Sequence, residues 1–371
     1  MRIVHIAESL GGGLLEFIIK LVNYLPSDHH IIIFGKVIEG GWDNKIMLAD
    51  MRIKFPENVE FYHWEGVQRE INLFTDFKSL WTLQRILIKL EKFDAIHLHS
   101  SKAGAIGRVL FFLTRRKEPV YYTPHGAPFL RLDLSPVKQK FITEVERLAN
   151  RLSGKIVCCS ASEYNIYLEK GIQPFIYINN GTEINQNRPH LISRTFDEHK
   201  KIRICSVGRL TFQKNPILFN QIASAFLQDS FVEFIWIGDG ELREEIKSPN
   251  IRVTGWITKQ KVNQEVMQSH IYLSTSLWEG LPFAVLEAMS FNKPLLLKRV
   301  VGNVDLVKNN FNGSLYNNAS DAIQILKAWI NNSIEIIEKG NASFDVCKTE
   351  FNASVNFPKY RKLYDRSASL S

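Results

Sequence analysis

Short, unbroken runs of apolar residues recur along the first half of the chain, at "RIVHIA", "HHIIIF", "NVEFYH", "FDAIHLH", "PVYYTP", "KIVCCS" and "PFIYIN". Continuous rather than alternating apolar runs predict strands of a parallel sheet covered on both faces. Helical patterns fill several of the intervals, over Leu14–Leu25, Phe77–Leu90, Ala103–Thr114 and Val137–Leu152. Strand and helix in alternation predict α/β units. The pattern lapses over residues 179–201, a polar stretch that reads as a linker, and then restarts. "IRICSVG", "VEFIWIG", "IRVTGW", "IYLST" and "PLLLK" alternate with helical patterns such as Asn215–Leu227 and Pro282–Phe291. The expected architecture is therefore two doubly wound, Rossmann-like α/β domains, with a ligand at the C-terminal strand ends and a cleft between the domains as its natural place.

A length of 371 residues agrees with two domains of ordinary size. With 45% hydrophobic and 23% charged residues the chain is globular rather than disordered. No apolar run reaches the roughly 18 residues of a membrane span, and "MRIVHIAESLGGG" reads as a strand followed by glycines rather than a secretory signal. Cys158, Cys159, Cys205 and Cys347 have neither zinc-finger nor redox-motif spacing and read as reduced, buried residues of a cytoplasmic protein. The net charge of +8 suits an anionic partner such as a nucleotide or an acidic membrane. Residues 1–180 hold 23 Lys and Arg against 19 Asp and Glu, and the remainder holds the same numbers, so charge singles out neither half. No dense basic stripe is interleaved with aromatics, which argues against nucleic acid.

Candidate chemistry sits where strands give way to helices. "ESLGGGLLEF" follows the first strand, and Gly11, Gly12 and Gly13 permit close backbone approach to a ligand or simply a flexible turn. The G-x-G-x-x-G spacing of dinucleotide sites is absent. "SVGRLTFQKNP" repeats that placement, with Gly208 ending a strand and Arg209 and Lys214 bracketing a loop ahead of a helix. Two cations near a helix N-terminus form a diphosphate site, although two solvated cations on a loop are common. In "WIGDGELREEI", Asp239 reads as a cap or turn residue. No two aspartates are spaced D-x-D, which argues against a transferase that grips diphosphate through a divalent ion. "WEGLPFAVLEAM" places Glu279 in a loop at a helix's positive end, Pro282 at the first helical position and Glu287 more than a turn inside. Alone, the segment reads as a dipole partner and a solvated helix position. His97 and His99 project from one face of a strand, and with no third ligand evident they read as packing or an acceptor contact rather than a metal pair. "GRVLFFLTRRK" joins Phe111 and Phe112 to Arg115, Arg116 and Lys117, either as core packing with helix-terminal cations or as an interfacial membrane contact.

Taken together, these segments resemble the retaining family 4 glycosyltransferases of the GT-B fold. Glu279 and Glu287 match the family's E-x7-E signature, and "GRLTFQKNP", "IGDGELR" and "GNVDLVKNNFNGSLY" follow in the family's order. "GGG", "HLHSSKAGAIGR", "YTPHGAPFLR" and "INNG" look like the branch that builds bacterial surface polysaccharides. The resemblance implies an acceptor-side domain over 1–180, a nucleotide-sugar domain over 181–354, and a final helix at about 355–371 crossing back onto the first. It implies that Arg209 and Lys214 hold the donor diphosphate, Glu287 the ribose hydroxyls and Glu279 the donor sugar. Gly280, Leu281, Pro282 and Phe283 would offer backbone N–H groups, His125 would lie beside the sugar, and Gly11–Gly13 would shape the phosphate and acceptor side. The implied substrates are a UDP-sugar and a polyprenyl-diphosphate-linked saccharide, with no metal, no covalent nucleophile and at most peripheral contact with the inner membrane. A GT-B sugar-nucleotide epimerase or hydrolase, or a glycan-binding subunit without turnover, are the competing readings.

Overall fold

The computed structural model describes residues 1–37, 52–68, 72–90, 92–184 and 201–365. Most of the expected linker, residues 185–200, and the stretch 366–371 of the expected final helix lie outside the described residues. The chain divides into two compact units, Met1–Asn180 with Ala353–Ser371, and Gly181–Asn352.

In the first unit the apolar runs form β1 (Arg2–Leu10), β2 (His29–Val37), β3 (Val59–His63), β4 (Ala95–His99), β5 (Val120–Thr123), β6 (Lys155–Cys158) and β7 (Ile176–Tyr177). All pair in parallel, in the order β3-β2-β1-β4-β5-β6-β7. Helices α1 (Gly12–Tyr24), α2 (Leu73–Lys89), α3 (Ser101–Leu113), α4 (Pro136–Leu152) and α5 (Ala161–Glu169) connect them. Every residue of β4 is buried, as a parallel strand covered on both faces requires. Local chemistry sets the helix starts: Asn72 accepts from the Phe74 and Thr75 amides, Ser160 accepts from the Glu163 amide, and Ser135 caps α4 ahead of Pro136.

The second unit repeats the pattern with β8 (Ile202–Val207), β9 (Val232–Ile237), β10 (Ile251–Val253), β11 (Ile271–Ser274), β12 (Leu295–Lys298) and β13 (Gly313–Tyr316). The parallel order β10-β9-β8-β11-β12-β13 is again doubly wound. Its helices are α6 (Pro216–Ser224), α7 (Lys259–Gln268), α8 (Phe283–Ser290), α9 (Asn303–Leu306), α10 (Ala319–Asn331) and α11 (Ser333–Glu350). Each unit has its own apolar core, one around Ile6, Ile96 and Tyr122, the other around Phe219, Trp236 and Leu273. Strand order reverses between β1 and β4 and between β8 and β11, so each unit has a switch point where loops diverge and leave a crevice.

The segment from Ala353 belongs to the first unit, but it is not one long helix. It forms α12 (Ala353–Asn356) and α13 (Lys359–Tyr364), because Pro358 has no amide to continue the first and its ring clashes with the preceding turn. Tyr360 and Tyr364 are buried, Phe357 stacks on Tyr24 with ring centroids 5.8 Å apart, and Arg361 pairs with Asp28 at 2.6 Å.

Candidate functional site

At the switch point of the second unit, β8 ends at Val207 and Gly208 follows with φ +156°. A Cβ at Gly208 would lie 3.1 Å from Lys214 Cε, so the bare backbone lets the lysine fold across it. The Gly208 carbonyl accepts from Trp236 Nε1 at 2.9 Å, and the Leu210 amide donates to the Asp239 carbonyl at 2.9 Å. Residues 212–214 then make one tight turn, and Asn215, left-handed at φ 50°, caps α6 by accepting from the Leu218 amide. Asp239 is a turn residue, accepting from the Gly240 amide and pairing with Arg243 at 2.8 Å.

After β11 the chain passes through Thr275–Trp278 to Glu279, which is 7% exposed. Glu279 Oε1 accepts from Lys214 Nζ at 2.6 Å. The two loops carrying this pair are fastened elsewhere as well. Thr275 Oγ1 donates to the Lys214 carbonyl at 2.7 Å, the Leu277 amide donates to the Gln213 carbonyl at 2.8 Å, and Gln213 Nε2 donates to the Trp278 carbonyl at 2.9 Å. Gly280, Leu281 and Pro282 are buried, and α8 begins at Phe283 with Pro282 in the capping position rather than inside the helix. The first N–H groups of α8 have no acceptor within the helix and mark its positive end. Gly302, at φ +84°, approaches so closely that a Cβ there would sit 2.4 Å from the Gly280 carbonyl oxygen.

Glu287 is buried inside α8 and not a solvated position; its carboxylate pairs with Lys259, the first residue of α7. Sequence reasoning missed Lys259, which carries no motif and reaches Glu287 only through tertiary packing. Arg209 is half-buried and has no hydrogen-bond or ion-pair acceptor among the described residues. The crevice thus gathers three cations and two carboxylates around a helix N-terminus, a net positive balance that fits an anionic ligand carrying hydroxyl groups.

The first unit carries the other candidates. Gly12 and Gly13 are exposed past the end of β1, α1 begins at Gly12, and Gly11 precedes it in extended backbone. His125 follows β5 in left-handed backbone, φ 57°, and is half-buried against the edge of Phe17 at 4.7 Å between centroids. Burial pushes its pKa down to about 3, so the ring is neutral at neutral pH.

A third histidine does join His97 and His99: the ring nitrogens of His5, His97 and His99 lie within 4.8 Å of one another, all buried. Every one of those nitrogens already has a hydrogen-bond partner, so the trio reads as a polar network. His97 contacts the Tyr364 hydroxyl at 2.6 Å and the Thr123 hydroxyl at 2.8 Å. His5 and His99 contact each other at 3.2 Å, and reach His30 at 3.0 Å and His125 at 3.1 Å respectively.

The expected interfacial patch divides. Phe111 is a core residue, 3% exposed, whereas Phe112 is 50% exposed, because neighbours on a helix point about 100° apart. Arg116 lies over the Phe93 ring at 5.3 Å and 3.7 Å from Glu118. A broader apolar surface lies on α4, where Val137, Phe141, Val145 and Leu148 are all exposed. At helical spacing these fall within an arc of about 80°, flanked by the exposed cations Lys138, Lys140 and Arg151. Beyond α3, which packs beside α4, helix α2 exposes Phe74, Phe77 and Trp81. Among the described residues no helix is long and apolar enough to cross a membrane.

Two doubly wound units, one with a cationic crevice at its switch point, have the architecture of the GT-B fold. Comparison with known proteins agrees. Residues 201–332 match the model for glycosyl transferases group 1, and residues 48–181 match a glycosyl transferase 4-like domain. A UDP-Gal:alpha-D-GlcNAc-diphosphoundecaprenol alpha-1,3-galactosyltransferase of Escherichia coli is 30% identical over 280 residues, 70% of this chain and 71% of that protein. An uncharacterized 41.2 kDa protein in the cps region of Klebsiella pneumoniae is 26% identical over 98% of this chain and 99% of its own length. Among solved structures, Anabaena HepE in complex with UDP and glucose has a TM-score of 0.74 at 17% identity, covering 98% of this chain and 99% of that one. Sucrose-phosphate synthase from Thermosynechococcus elongatus has a TM-score of 0.81 at 14% identity with full coverage of both chains. The chain belongs to the group 1 glycosyl transferases with a family 4-like N-terminal domain, and it is a glycosyltransferase.

Proposed function

We propose that this glycosyltransferase moves a sugar from a UDP-sugar to a saccharide carried on a polyprenyl diphosphate, with retention and without a metal, in building a bacterial surface polysaccharide. The observation that carries the reading is the crevice at the β8–β11 switch point, where Arg209 has no protein acceptor among the described residues beside the Lys214–Glu279 pair. Arg209 and Lys214 hold the donor diphosphate, aided by the N–H groups at the start of α8. Glu287, steadied by Lys259, grips the ribose hydroxyls, and Glu279 contacts the donor sugar. Support for donor and acceptor comes from the E. coli relative, whose name specifies UDP-Gal and a GlcNAc-diphosphoundecaprenol acceptor, and from HepE, whose structure holds UDP and glucose.

In the reaction, the bond between the sugar's anomeric carbon and the diphosphate oxygen breaks. A bond to the acceptor hydroxyl oxygen forms on the same face, and the hydroxyl proton passes to the departing diphosphate. The negative charge gathered on that diphosphate meets Arg209, Lys214 and the α8 N–H groups, the last two held in place before the reaction begins. No step needs a covalent nucleophile or a divalent ion.

A lipid-linked acceptor calls for a bilayer contact, and the α4 face supplies suitable chemistry. Val137, Phe141, Val145 and Leu148 would sit at the acyl boundary, with Lys138, Lys140 and Arg151 against anionic headgroups. Wild-type protein should float with anionic vesicles, and a Phe141→Glu/Leu148→Glu variant should not. Failure of the wild type to float would remove the contact.

The test of the activity is incubation with UDP-galactose and other UDP-sugars together with a GlcNAc-diphospholipid acceptor. Glycosylated lipid is the expected product. UDP released without a glycosylated product would mark a hydrolase, and binding without turnover a non-catalytic subunit.

A further inference from the structure

Four imidazoles cross the first sheet in a single hydrogen-bonded file. His30 on β2 meets His5 on β1, His5 meets His99 on β4, and His99 meets His125 just past β5, at 3.0, 3.2 and 3.1 Å. The file follows the parallel register. His30 lies opposite Ile3, His5 opposite His97, and His99 opposite Thr123. In each case the next histidine is two residues beyond that partner, which keeps His5 and His99 on the face that His30 lines and leaves His125, just past the end of β5, within reach of His99. His5, His30 and His99 are fully buried.

The atoms in contact fix the direction of every hydrogen bond. His30 Nε2 lies 3.2 Å from the Leu25 carbonyl oxygen, which can only accept, so His30 carries its proton on Nε2. A neutral His30 then offers a lone pair on Nδ1 and accepts from His5 Nε2. His5 is left with a lone pair on Nδ1, which accepts from His99 Nε2. His99 in turn accepts on Nδ1 from His125 Nε2. The sequence of contacts ends with His125 protonated on Nε2 and carrying a lone pair on Nδ1, an atom with no hydrogen-bond partner among the described residues.

Neutrality is what makes the logic hold, since an imidazolium donates at both nitrogens and would reverse every bond downstream of it. Burial pushes the pKa of His30 down to about 4 and those of His5 and His99 well below the ordinary value, while His125 is held at about 3.

We propose that His30, His5 and His99 are positioning residues that set the tautomer of His125, so that its Nδ1 meets the substrate as a hydrogen-bond acceptor for a sugar hydroxyl. The claim rests on the reading of His125 as a sugar contact. His125 touches the sugar, and the other three act through it. The backbone carbonyl of Leu25, three rings away, is the anchor of the whole file.

Histidine-selective 15N NMR of the full chain at neutral pH reads the tautomer directly, with His125 assigned by comparison with His125→Asn. His125 should show a protonated Nε2 and an unprotonated Nδ1. A protonated Nδ1, or protons on both nitrogens, would overturn the relay whatever the protein's activity. His30→Leu, which removes the acceptor from the far end, should give His125 mixed tautomers and lower kcat by about three- to tenfold, the worth of one hydrogen bond, with the donor KM unchanged. His30→Asn keeps an acceptor oxygen at the Nδ1 position and should restore both the single tautomer and most of kcat. An unchanged His125 tautomer in His30→Leu would refute the relay. Separately, a correct tautomer combined with full turnover in His125→Ala would leave the relay standing and remove the sugar contact.

Discussion

Lys214 Nζ lies 2.6 Å from Glu279 Oε1, and the loops carrying the two residues are joined by three further hydrogen bonds. The lysine is thereby held over Gly208 at the end of β8 before any ligand arrives. Such an arrangement favours the bound state because little side-chain entropy remains to be lost. Lys214→Ala removes a charged hydrogen-bond donor worth about 1.5–3 kcal/mol. It should weaken UDP binding by roughly ten- to a hundredfold by calorimetry. An affinity within twofold of wild type would take Lys214 out of the diphosphate site.

The two glutamates separate in their response to ligands. UDP contains the ribose that Glu287 is proposed to grip and lacks the sugar proposed for Glu279. Glu287→Gln should weaken UDP and UDP-sugar alike, by roughly ten- to a hundredfold. Glu279→Gln should leave UDP affinity within about threefold and depress turnover with the full donor. If both variants bind UDP normally and lose only turnover, both carboxylates belong at the reacting centre instead.

Chelation is a simple discriminator. Arg209, Lys214 and Lys259 supply the positive charge of the crevice from the chain itself. Transfer activity should survive an excess of EDTA. Its abolition, with recovery on adding magnesium or manganese, would overturn the metal-free mechanism.

Gly302 offers a positional test. Its φ of +84° disfavours any side chain, and an added Cβ would press on the Gly280 carbonyl oxygen at 2.4 Å. Gly302→Ala should therefore shift the Gly280–Phe283 turn and raise the donor KM severalfold while the protein stays folded by circular dichroism. Unaltered kinetics would mean that the turn does not contact the donor.

Acid should destabilise the first unit through its histidines. His30 and His125 have folded-state pKa values of about 4 and about 3 against an ordinary 6.5. As pH falls below 6.5 the unfolded chain takes up protons that these neutral rings refuse, so stability is flat above that point and declines below it. Each ring contributes a slope of about 1.4 kcal/mol per pH unit. His30 adds no further loss below about pH 4, and His125 none below about pH 3. Urea midpoints measured at pH 7.5, 6.0 and 5.0 should fall between the last two. A constant midpoint, or one that rises on acidification, would contradict burial of these rings in neutral form.

The apolar runs located the strands, since a strand covered on both faces leaves a mark no other element makes at that length. The crevice was legible too, because Gly208, Arg209, Lys214, Glu279 and the turn after it each stand within four residues of the end of a strand or the start of a helix. Lys259 was hidden: it is 28 residues from Glu287, and nothing local distinguishes it from the neighbouring Lys261. His5 and His30 were hidden for a different reason. His5 reads as a polar interruption in an apolar run and His30 as the polar residue that leads into one, and their meaning appears only when register brings them against a histidine 94 or 25 residues away. The final helix differs in form from the one the family resemblance implies, because Pro358 divides it.

His97 and Tyr364, joined at 2.6 Å, are 267 residues apart, with the whole second unit between them. At a synthesis rate of about 5–20 residues per second, His97 is added to the chain roughly 13 to 53 s before its partner exists. Until then the surface that Tyr360 and Tyr364 cover has no lid, and the histidine file beneath it stands closer to water. The first unit to begin folding is thus the last to finish. A chain released after residue 352 would carry every residue of the second unit but an unsealed first one, open to holdases and proteases that the mature protein has no reason to meet.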